Sequence, residues 1–340
     1  MTLAAPVALA VLVLVGVSAW ALTGWLRRYA LTRQLMDVPN ARSSHRVATP
    51  RGGGGSIVIA STLALAWWAW AGDSPALAGV LAGGLIVAGV GFLDDHRPVP
   101  PIVRLVGHSI AAGLAVSSLD AASAGSGQSS LMPGIAGDAI AVFLVVWLIN
   151  LTNFMDGIDG IAGVQAVTIC AVGSALTAVT SPETGHWIEP AVLGAASIGF
   201  LVWNWPPARV FMGDVGSGYV GFMVAVLTLR SISVAPVLGW CWLILSGVFM
   251  VDATLTLACR AARGDRLFEA HRCHAYQHLA LARGHRAVTL LVAAINLCWL
   301  TPVAAFVAFG YITGVTGLLV AYVPLAMGAA RCGAGSASRP

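Results

Sequence analysis

The stretch that decides the fold reads Asn150-Leu-Thr-Asn-Phe-Met-Asp-Gly-Ile-Asp-Gly160. It holds two carboxylates and two amides within ten residues, and it lies between two apolar runs, 139–149 and 161–178. Ionisable groups beside segments of membrane-spanning hydrophobicity are costly, and they usually serve a function. The stretch therefore predicts a polar site at the edge of a membrane-embedded helix bundle.

The composition predicts membrane-spanning helices along the whole chain. Of the 340 residues, 58% are hydrophobic and only 9% are charged, whereas a soluble domain carries about 25% charged residues. We therefore expect an all-α polytopic integral membrane protein with about 11 transmembrane helices, and ten as the alternative count. The predicted apolar segments are 4–26, 56–72, 76–93, 102–119, 134–152, 160–180, 189–203, 217–235, 237–259, 287–308 and 311–330.

These segments predict a single transmembrane domain over residues 1–332 and a disordered tail over 333–340. The first segment has the length of a signal peptide, but no basic residue precedes it and Arg27 and Arg28 follow it directly. We therefore expect an uncleaved first helix. The six cysteines are scattered without a CxxC pair, which argues against a disulfide framework or a zinc site.

The arginines predict the orientation in the membrane. All 18 basic residues are Arg. When loop 27–55 is placed in the cytoplasm and the helices alternate, every Arg except Arg230 falls on the cytoplasmic side, as the positive-inside rule expects. The same alternation brings the acidic groups at 94–95, 156–159 and Asp214 to that side. We therefore expect an active site on the cytoplasmic face.

The acidic groups suit a divalent cation. Adjacent carboxylates such as the pair at 94–95 repel each other unless a cation or a proton lies between them. A spacing of three residues places Asn150, Asn153 and Asp156 on one helical face. Oxygen ligands there suit Mg²⁺, which takes few carboxylates together with substrate phosphates. Asp214 follows a glycine-rich turn, where it would hold a metal or cap the next helix.

Two arginine-rich loops complement the acids. Loop 42–55, with Arg46 and Arg51, would bind phosphate or anionic lipid headgroups, or would only anchor the chain on its positive side. Loop 260–286 lacks the ligand spacing of a zinc site, so it favours a polyanion over a metal, and a solvated basic loop without a ligand is the alternative. Its candidate side chains are His271, Arg272 and His274.

Four motifs make the chain recognisable. They read Asp37-Val-Pro-Asn-Ala-Arg-Ser-Ser-His-Arg-x-x-Thr-Pro-Arg-Gly-Gly53, Phe92-Leu-Asp-Asp95, Asn153-x-x-Asp-Gly-x-Asp-Gly160 and Phe211-Met-Gly-Asp-x-Gly-Ser217. In this order they resemble the polyprenyl-phosphate N-acetylhexosamine-1-phosphate transferases of glycosyltransferase family 4, relatives of WecA and MraY. The segment His271-Arg-x-His-Ala-Tyr-Gln-His278 resembles the WbpL-type branch, because it lacks the His-x-His-His pattern of the WecA branch.

The resemblance implies a definite reaction. A phosphate oxygen of undecaprenyl phosphate attacks the β-phosphorus of a UDP-N-acetylhexosamine, which gives undecaprenyl-diphospho-sugar and UMP. Mg²⁺ is the implied cofactor, with Mn²⁺ as the alternative. The step would initiate O-antigen or other cell-surface polysaccharide synthesis at the bacterial inner (plasma) membrane. The implied partners are undecaprenyl phosphate, the UDP-sugar and membrane lipids, without nucleic acid; a homodimer is left open.

Residue roles follow from the same resemblance. Asp214 matches the family's metal ligand, and Asn153 matches a position that contacts the metal in eukaryotic relatives. The acids at 94–95 match the pair beside the lipid phosphate, and whether Asp94 acts as a base or positions a substrate stays open. The catalytic candidates are Asp94, Asp95, Asp156 and Asp159, the last two on the nucleotide side. The substrate-binding candidates are Asn150, Arg46, Arg51, Arg104, His271, Arg272 and His274.

Three alternatives remain on the sequence alone. An intramembrane aspartyl protease needs Gly-x-Gly-Asp, and this chain has Phe211 at the first position. An anion transporter is expected to show internal repeats, and none is visible. A peptidoglycan-precursor transferase would carry three consecutive histidines, which segment 270–279 lacks. The donor sugar stays open, because a pocket distinguishes N-acetylhexosamines by a few hydrogen bonds.

Overall fold

The computed structural model describes residues 5–39, 47–72, 74–125, 134–266 and 271–336. Within these ranges the chain forms fourteen α-helices and one antiparallel ribbon, in which β1 (Met36–Asp37) pairs with β2 (Thr49–Pro50). The helices are α1 (Ala5–Thr32), α2 (Gly55–Ala71), α3 (Pro75–His96), α4 (Pro101–Gly125), α5 (Ile135–Met155), α6 (Ile161–Thr180), α7 (Ile188–Asn204), α8 (Asp214–Val234), α9 (Pro236–Leu245), α10 (Gly247–Ala262), α11 (Ala275–Arg283), α12 (His285–Ile295), α13 (Thr301–Ala308) and α14 (Gly314–Arg331).

The helices confirm the expected all-α polytopic membrane fold. In the described part of the chain, eight helical stretches are long and apolar enough to cross a membrane, and the count becomes nine if the bent pair α9 and α10 is one span, fewer than the 11 or ten expected. The apolar helices α2 and α7 are shorter, at 17 residues each. Each predicted apolar segment coincides with one of these spans or short helices.

The segment predicted as one helix over 237–259 is broken. Helices α9 and α10 meet at Ser246 with a bend of 66°. The Ser246 hydroxyl donates to the carbonyl of Trp242 at 2.9 Å, and Gly247 follows it. A serine bonded back to the preceding turn and a Ser-Gly pair are both known causes of helix bending.

Helix α8 is the central element of the bundle. Every residue from Val215 to Ser231 is buried. Its small residues allow neighbouring backbones to approach closely, as is common where helices pack in membranes. A Cβ on Gly221 would lie 2.5 Å from the carbonyl oxygen of Leu148 on α5. The packing therefore fixes the position of the Asp214 end of α8.

The other end of α8 carries the one arginine that departs from the positive-inside pattern. Arg230 is buried, and its Nε donates to Glu189 Oε2 on α7 at 2.6 Å. His186 Nδ1 lies 3.2 Å from Glu189 Oε1 and 3.2 Å from Arg230 Nη2. A buried charge is tolerated when it is paired and hydrogen-bonded. Arg230 is therefore held in the bundle interior by a buried ion pair.

The periphery of the bundle is apolar and exposed. In the most apolar windows of α1 and α14, only 17% and 11% of the residues are buried, as expected for helices whose side chains face lipid. Beyond α14, the Gly335 N–H donates to the carbonyl of Cys273 at 2.7 Å. The remainder of the predicted tail, 337–340, lies outside the described residues.

Candidate active site

The three acidic groups lie at one end of the bundle. The first closes α3, the second follows α5, and the third opens α8. The segment before α2 lies against the segment before α8, because Phe211 N–H donates to Pro50 O at 2.8 Å and Gly53 N–H donates to Phe211 O at 2.9 Å. The structure thus brings two of the sequence motifs into direct contact.

Asp95 caps helix α8. Its Oδ1 accepts from the Asp214 N–H at 3.1 Å and its Oδ2 from the Val215 N–H at 3.2 Å. The side chain is nearly inaccessible, with the residue 4% exposed. Gly213 is required beside it, since its φ is +74° and a Cβ there would lie 2.6 Å from Asp95 Oδ2. Asp95 therefore holds Asp214 in place and offers little surface to a substrate.

Asp94 points to the other side and forms an ion pair. Arg104 Nη1 lies 2.8 Å from Asp94 Oδ2 and 3.5 Å from Asp214 Oδ2. The Val99 N–H also donates to Asp94 Oδ1 at 2.6 Å. The Arg104 side chain remains about one-third exposed. One guanidinium therefore links two acidic groups and keeps donors accessible.

Arg104, Asp214, Asn150 and Asn153 share one cavity of about 410 Å³, here called the α4–α5 cavity. Leu105, Phe143 and Trp147 are among its apolar wall residues, and it also reaches Leu257 of α10. Phe143 is well exposed on the outer surface of the bundle. The cavity therefore opens toward the membrane at its apolar end and meets charged groups at the other.

Asn150 and Asn153 share this cavity, but Asp156 is not among its lining residues. Helix α5 ends at Met155, and Asp156 is the first residue beyond it, with φ −87° and ψ 47°. The expected common helical face therefore holds for the two amides only. The Asn153 amide donates to Ser217 Oγ at 3.3 Å, which leaves its oxygen available to a ligand.

Asp156 is a half-buried carboxyl among carboxylates. Burial, followed by the charges of Asp214, Asp95 and Asp159, raises its pKa well above the usual value. No hydrogen bond from the described residues reaches its carboxyl group. A carboxylate placed among others without a donor is the situation that a bound cation relieves.

Asp159 is held by the protein instead. Its Oδ2 accepts from the Ala208 N–H at 3.0 Å, and His285 Nδ1 lies 3.1 Å from its Oδ1. The Thr289 hydroxyl donates to its carbonyl oxygen at 2.8 Å. Sequence reasoning missed His285, which lies outside every motif and 126 positions from its partner. Asp159 therefore shapes the turn that carries Asp156.

A metal ion needs a set of convergent oxygen, nitrogen or sulfur donors. No group of three or more His, Cys, Asp or Glu side chains in the described ranges has an arrangement that could hold one. Asp214 and Asn153 offer oxygen donors at the polar end of the α4–α5 cavity, beside the uncompensated Asp156. That set fits Mg²⁺, which binds proteins through one or two carboxylates and completes its shell with water and phosphates.

The segment before α11 is more buried than a solvated basic loop. Asp252 on α10 caps α11, because its two oxygens accept from the N–H groups of Ala275 and Tyr276 at 2.9 Å each. His274 is 2% exposed, and its Nδ1 lies 3.4 Å from Asp252 Oδ1. The Tyr276 hydroxyl donates to the Phe154 carbonyl at 2.9 Å. The helix is thereby fastened to the end of α5.

His271 and Arg272 precede this cap. Burial, then the neighbouring charges of His274 and Arg260, lowers the pKa of His271 to about 4. The ring is therefore neutral near pH 7. Arg272 is half-buried in the same segment. In this arrangement Arg272, rather than His271, brings positive charge to the predicted diphosphate-binding group.

The remaining candidates belong to the first arginine-rich loop. Arg46 lies outside the described residues. Arg51 borders a second cavity on the opposite side of Asp95, between α1, α2 and α3. The structure therefore does not bring Arg51 into the α4–α5 cavity.

Comparison with known proteins identifies similar sequences. Residues 77–232 match the family model described as "Glycosyl transferase family 4". This region runs from α3 almost to the end of α8, and it contains all three acidic groups. The chain is 27% identical over 320 residues to the decaprenyl-phosphate N-acetylglucosaminephosphotransferase of Mycobacterium tuberculosis H37Rv, covering 83% of this chain and 79% of the relative.

Two further relatives are also named as transferases. A probable undecaprenyl-phosphate N-acetylglucosaminyl 1-phosphate transferase of Bacillus subtilis is 25% identical over 285 residues, covering 80% of this chain and 77% of the relative. A phospho-N-acetylmuramoyl-pentapeptide-transferase of Mycolicibacterium vanbaalenii is 30% identical over 210 residues, covering 49% and 58%.

Proposed function

We propose that the protein transfers a sugar-1-phosphate to a polyprenyl phosphate, on the premise that residues 77–232 match the model of glycosyl transferase family 4, the family that the sequence motifs resemble. The donor is a UDP-N-acetylhexosamine and the acceptor is undecaprenyl phosphate. The products are undecaprenyl-diphospho-sugar and UMP. The relatives' names, which specify polyprenyl phosphate acceptors, support this acceptor class.

The observation that carries the proposal is the α4–α5 cavity. Its apolar walls suit an isoprenoid chain that enters from the membrane, and its polar end presents Arg104, Asn153 and Asp214. A lipid phosphate seated there would meet the Arg104 guanidinium, whose fork of donors matches phosphate oxygens. The cavity thereby joins a lipid-binding surface to a phosphate-binding one.

The chain's own residues position the reactants. Asp95 fixes the start of α8, and Arg104 holds Asp94 while it remains able to contact phosphate oxygens. Asp214 and Asn153 would hold Mg²⁺, which would supply charge neutralisation at the diphosphate. Asp159, held by His285, sets the turn in which Asp156 faces the nucleotide side. Catalysis in this proposal is positioning together with electrostatic stabilisation.

We assign Asp94 a positioning role. The second pKa of a phosphate monoester is about 6. The attacking oxygen is therefore already ionised at neutral pH, and a general base is dispensable. Asp94 is engaged by Arg104 at 2.8 Å and by the Val99 N–H at 2.6 Å. Both oxygens are therefore engaged, Oδ2 by the arginine and Oδ1 by the backbone.

The membrane orientation follows from the charge distribution. The described parts of the two arginine-rich loops lie at the end of the bundle that holds the acidic groups, and the paired Arg230 lies at the other end. We propose that the protein lies in a bacterial plasma membrane and that this end faces the cytoplasm, the compartment in which UDP-sugars are made. Initiation of O-antigen or another cell-surface polysaccharide is the role proposed for the product.

The test is UMP release by the purified chain with undecaprenyl phosphate, Mg²⁺ and a panel of UDP-sugars, with and without EDTA. The panel begins with UDP-N-acetylglucosamine, the sugar in the names of two relatives. It includes a UDP-N-acetylmuramoyl-pentapeptide, because one relative is named for that donor. We expect EDTA-sensitive release with one donor. Folded protein that neither binds nor turns over any UDP-sugar would refute the proposal.

A further inference from the structure

A second cavity, here called the α1–α3 cavity, lies on the opposite side of Asp95 from the α4–α5 cavity. Its volume is about 320 Å³. Its walls are apolar and come from three helices, with Leu26 and Tyr29 from α1, Val58 and Ile59 from α2, and Leu85 and Phe92 from α3. Nothing in the proposed transfer reaction requires this space.

The cavity opens on the lipid-facing surface of the bundle. Ile59, Leu85 and Phe92 are 39%, 51% and 47% exposed although they line it. From Leu85 to His96 the cavity follows α3 for about 16 Å, at 1.5 Å per residue. It therefore has the form of a membrane-open groove that ends at the polar end of the bundle.

Two nitrogen atoms of basic side chains at the closed end of the groove have no hydrogen-bond partner among the described residues. Arg51 Nε and His96 Nε2 are both buried atoms without a hydrogen-bond partner in the described part of the chain. His96 Nδ1 lies 2.8 Å from the Phe92 carbonyl oxygen, which turns Nε2 away from that carbonyl. Buried polar atoms are rarely left unsatisfied, so these two atoms indicate a ligand.

The charge at this end favours an anion. The only carboxylate among the lining residues, Asp95, is already bonded by the N–H groups that begin α8. The guanidinium of Arg33 lies 5.9 Å from the ring centroid of Tyr29, which adds positive charge near the wall formed by α1. Arginine at a membrane boundary attracts anionic headgroups.

We propose that the α1–α3 cavity binds an anionic glycerophospholipid of the surrounding bilayer, separately from the acceptor lipid. One acyl chain lies along α3, and the headgroup phosphate meets Arg51 and the Nε2 side of His96. The proposal depends on the membrane-embedded fold and on these contacts, and it is independent of the transfer reaction.

Gly89 provides the sharpest perturbation. It lines the cavity, and a Cβ at this position would meet nothing within 4 Å. Gly89→Leu therefore extends a side chain into the groove without a backbone clash. Gly113 on α4 also has open space around its Cβ and lines neither cavity, so Gly113→Leu is the matched control.

The experiment is native mass spectrometry of the full chain in detergent, titrated with phosphatidylglycerol or with phosphatidylcholine of the same acyl chains. We expect the wild type and Gly113→Leu to retain phosphatidylglycerol preferentially, and Gly89→Leu to lose one bound copy. Arg51→Gln should weaken retention roughly tenfold, the change expected when one charge-assisted hydrogen bond is lost. If Gly89→Leu does not fold, Ile59→Trp narrows the same groove from α2.

Two outcomes would overturn the inference. The first is equal retention of the two lipids, or equal retention by Gly89→Leu and the wild type. The second is stoichiometric displacement of phosphatidylglycerol by undecaprenyl phosphate, which would make the groove an acceptor site. Because binding is measured without turnover, a failure here is distinguishable from a failure of the transferase proposal.

Discussion

Two aspartates of the same site should respond differently to substitution by asparagine, one mainly in stability and the other in activity alone. Asp95 accepts from two N–H groups at the start of α8 and is almost inaccessible, whereas the Asp214 side chain is about one-third exposed. We expect Asp95→Asn to destabilise the fold and to lower activity through the misplaced start of α8. Asp214→Asn should abolish turnover while the fold retains its stability.

The magnitude follows from the hydrogen bonds. Each bond to an ionised group contributes about 1.5–3 kcal/mol, and a neutral one about 1 kcal/mol. An amide at position 95 keeps one acceptor oxygen and turns an NH₂ group toward the second backbone N–H. The net loss is therefore about 2–4 kcal/mol, to which the lost charge at the helix N-terminus contributes.

The assay pairs thermal unfolding of the detergent-solubilised protein with UMP release. Asp138→Asn, at the opposite end of α5, controls for the removal of a carboxylate from the bundle. An unchanged unfolding temperature for Asp95→Asn would refute the capping role. A decrease in Asp214→Asn as large as that in Asp95→Asn would remove the distinction between the two acids.

Three further predictions concern the neighbouring groups. Asp214→Asn should also lose any stabilisation of the protein by Mg²⁺, measured as the shift in unfolding temperature on adding EDTA; an equal shift in the wild type and the variant would contradict the metal assignment. The raised pKa of Asp156 means that, above about pH 4, the folded state holds a proton that the unfolded state has released. The contribution of this group to stability therefore falls as pH rises. Asp156→Asn should therefore raise the unfolding temperature at pH 7–8 without Mg²⁺, and the gain should vanish near pH 4; a gain independent of pH would exclude the titration. His285→Ala should lower kcat through the loosened Asp159 turn, with His285→Asn restoring part of it, and a change confined to KM would indicate substrate contact instead.

The composition and the length of the apolar segments were sufficient to predict the membrane fold, because each span has to be hydrophobic on its own. The bend at Ser246 was not predicted. Apolar composition continues across it, and only a Ser-Gly pair marks it. Helix ends were also uncertain, because apolar composition does not mark them. Asp156 was therefore placed on the same helical face as Asn150 and Asn153, although α5 ends one residue earlier.

The site was predictable as a set of residues, but the roles within the set were not. Asp95 and Asp252 cap helices that lie 119 and 23 residues further along the chain. No local pattern reveals such pairings, since they depend on which helices become neighbours. His271 and His274 were predicted as ligands of an anion from their position in a basic loop, whereas burial and the pairing of His274 with Asp252 follow only from the fold.

The ion pair between Arg230 and Glu189 has a consequence for how the protein enters the membrane during synthesis. An arginine inside an inserting helix is costly, by about 2.5–3.5 kcal/mol at the helix centre, and α8 carries one near its far end. Glu189 precedes Arg230 by 41 residues, so α7 and its carboxylate are synthesised before the arginine. Helices α7 and α8 would then partition into the bilayer together, as one hairpin with its charge neutralised.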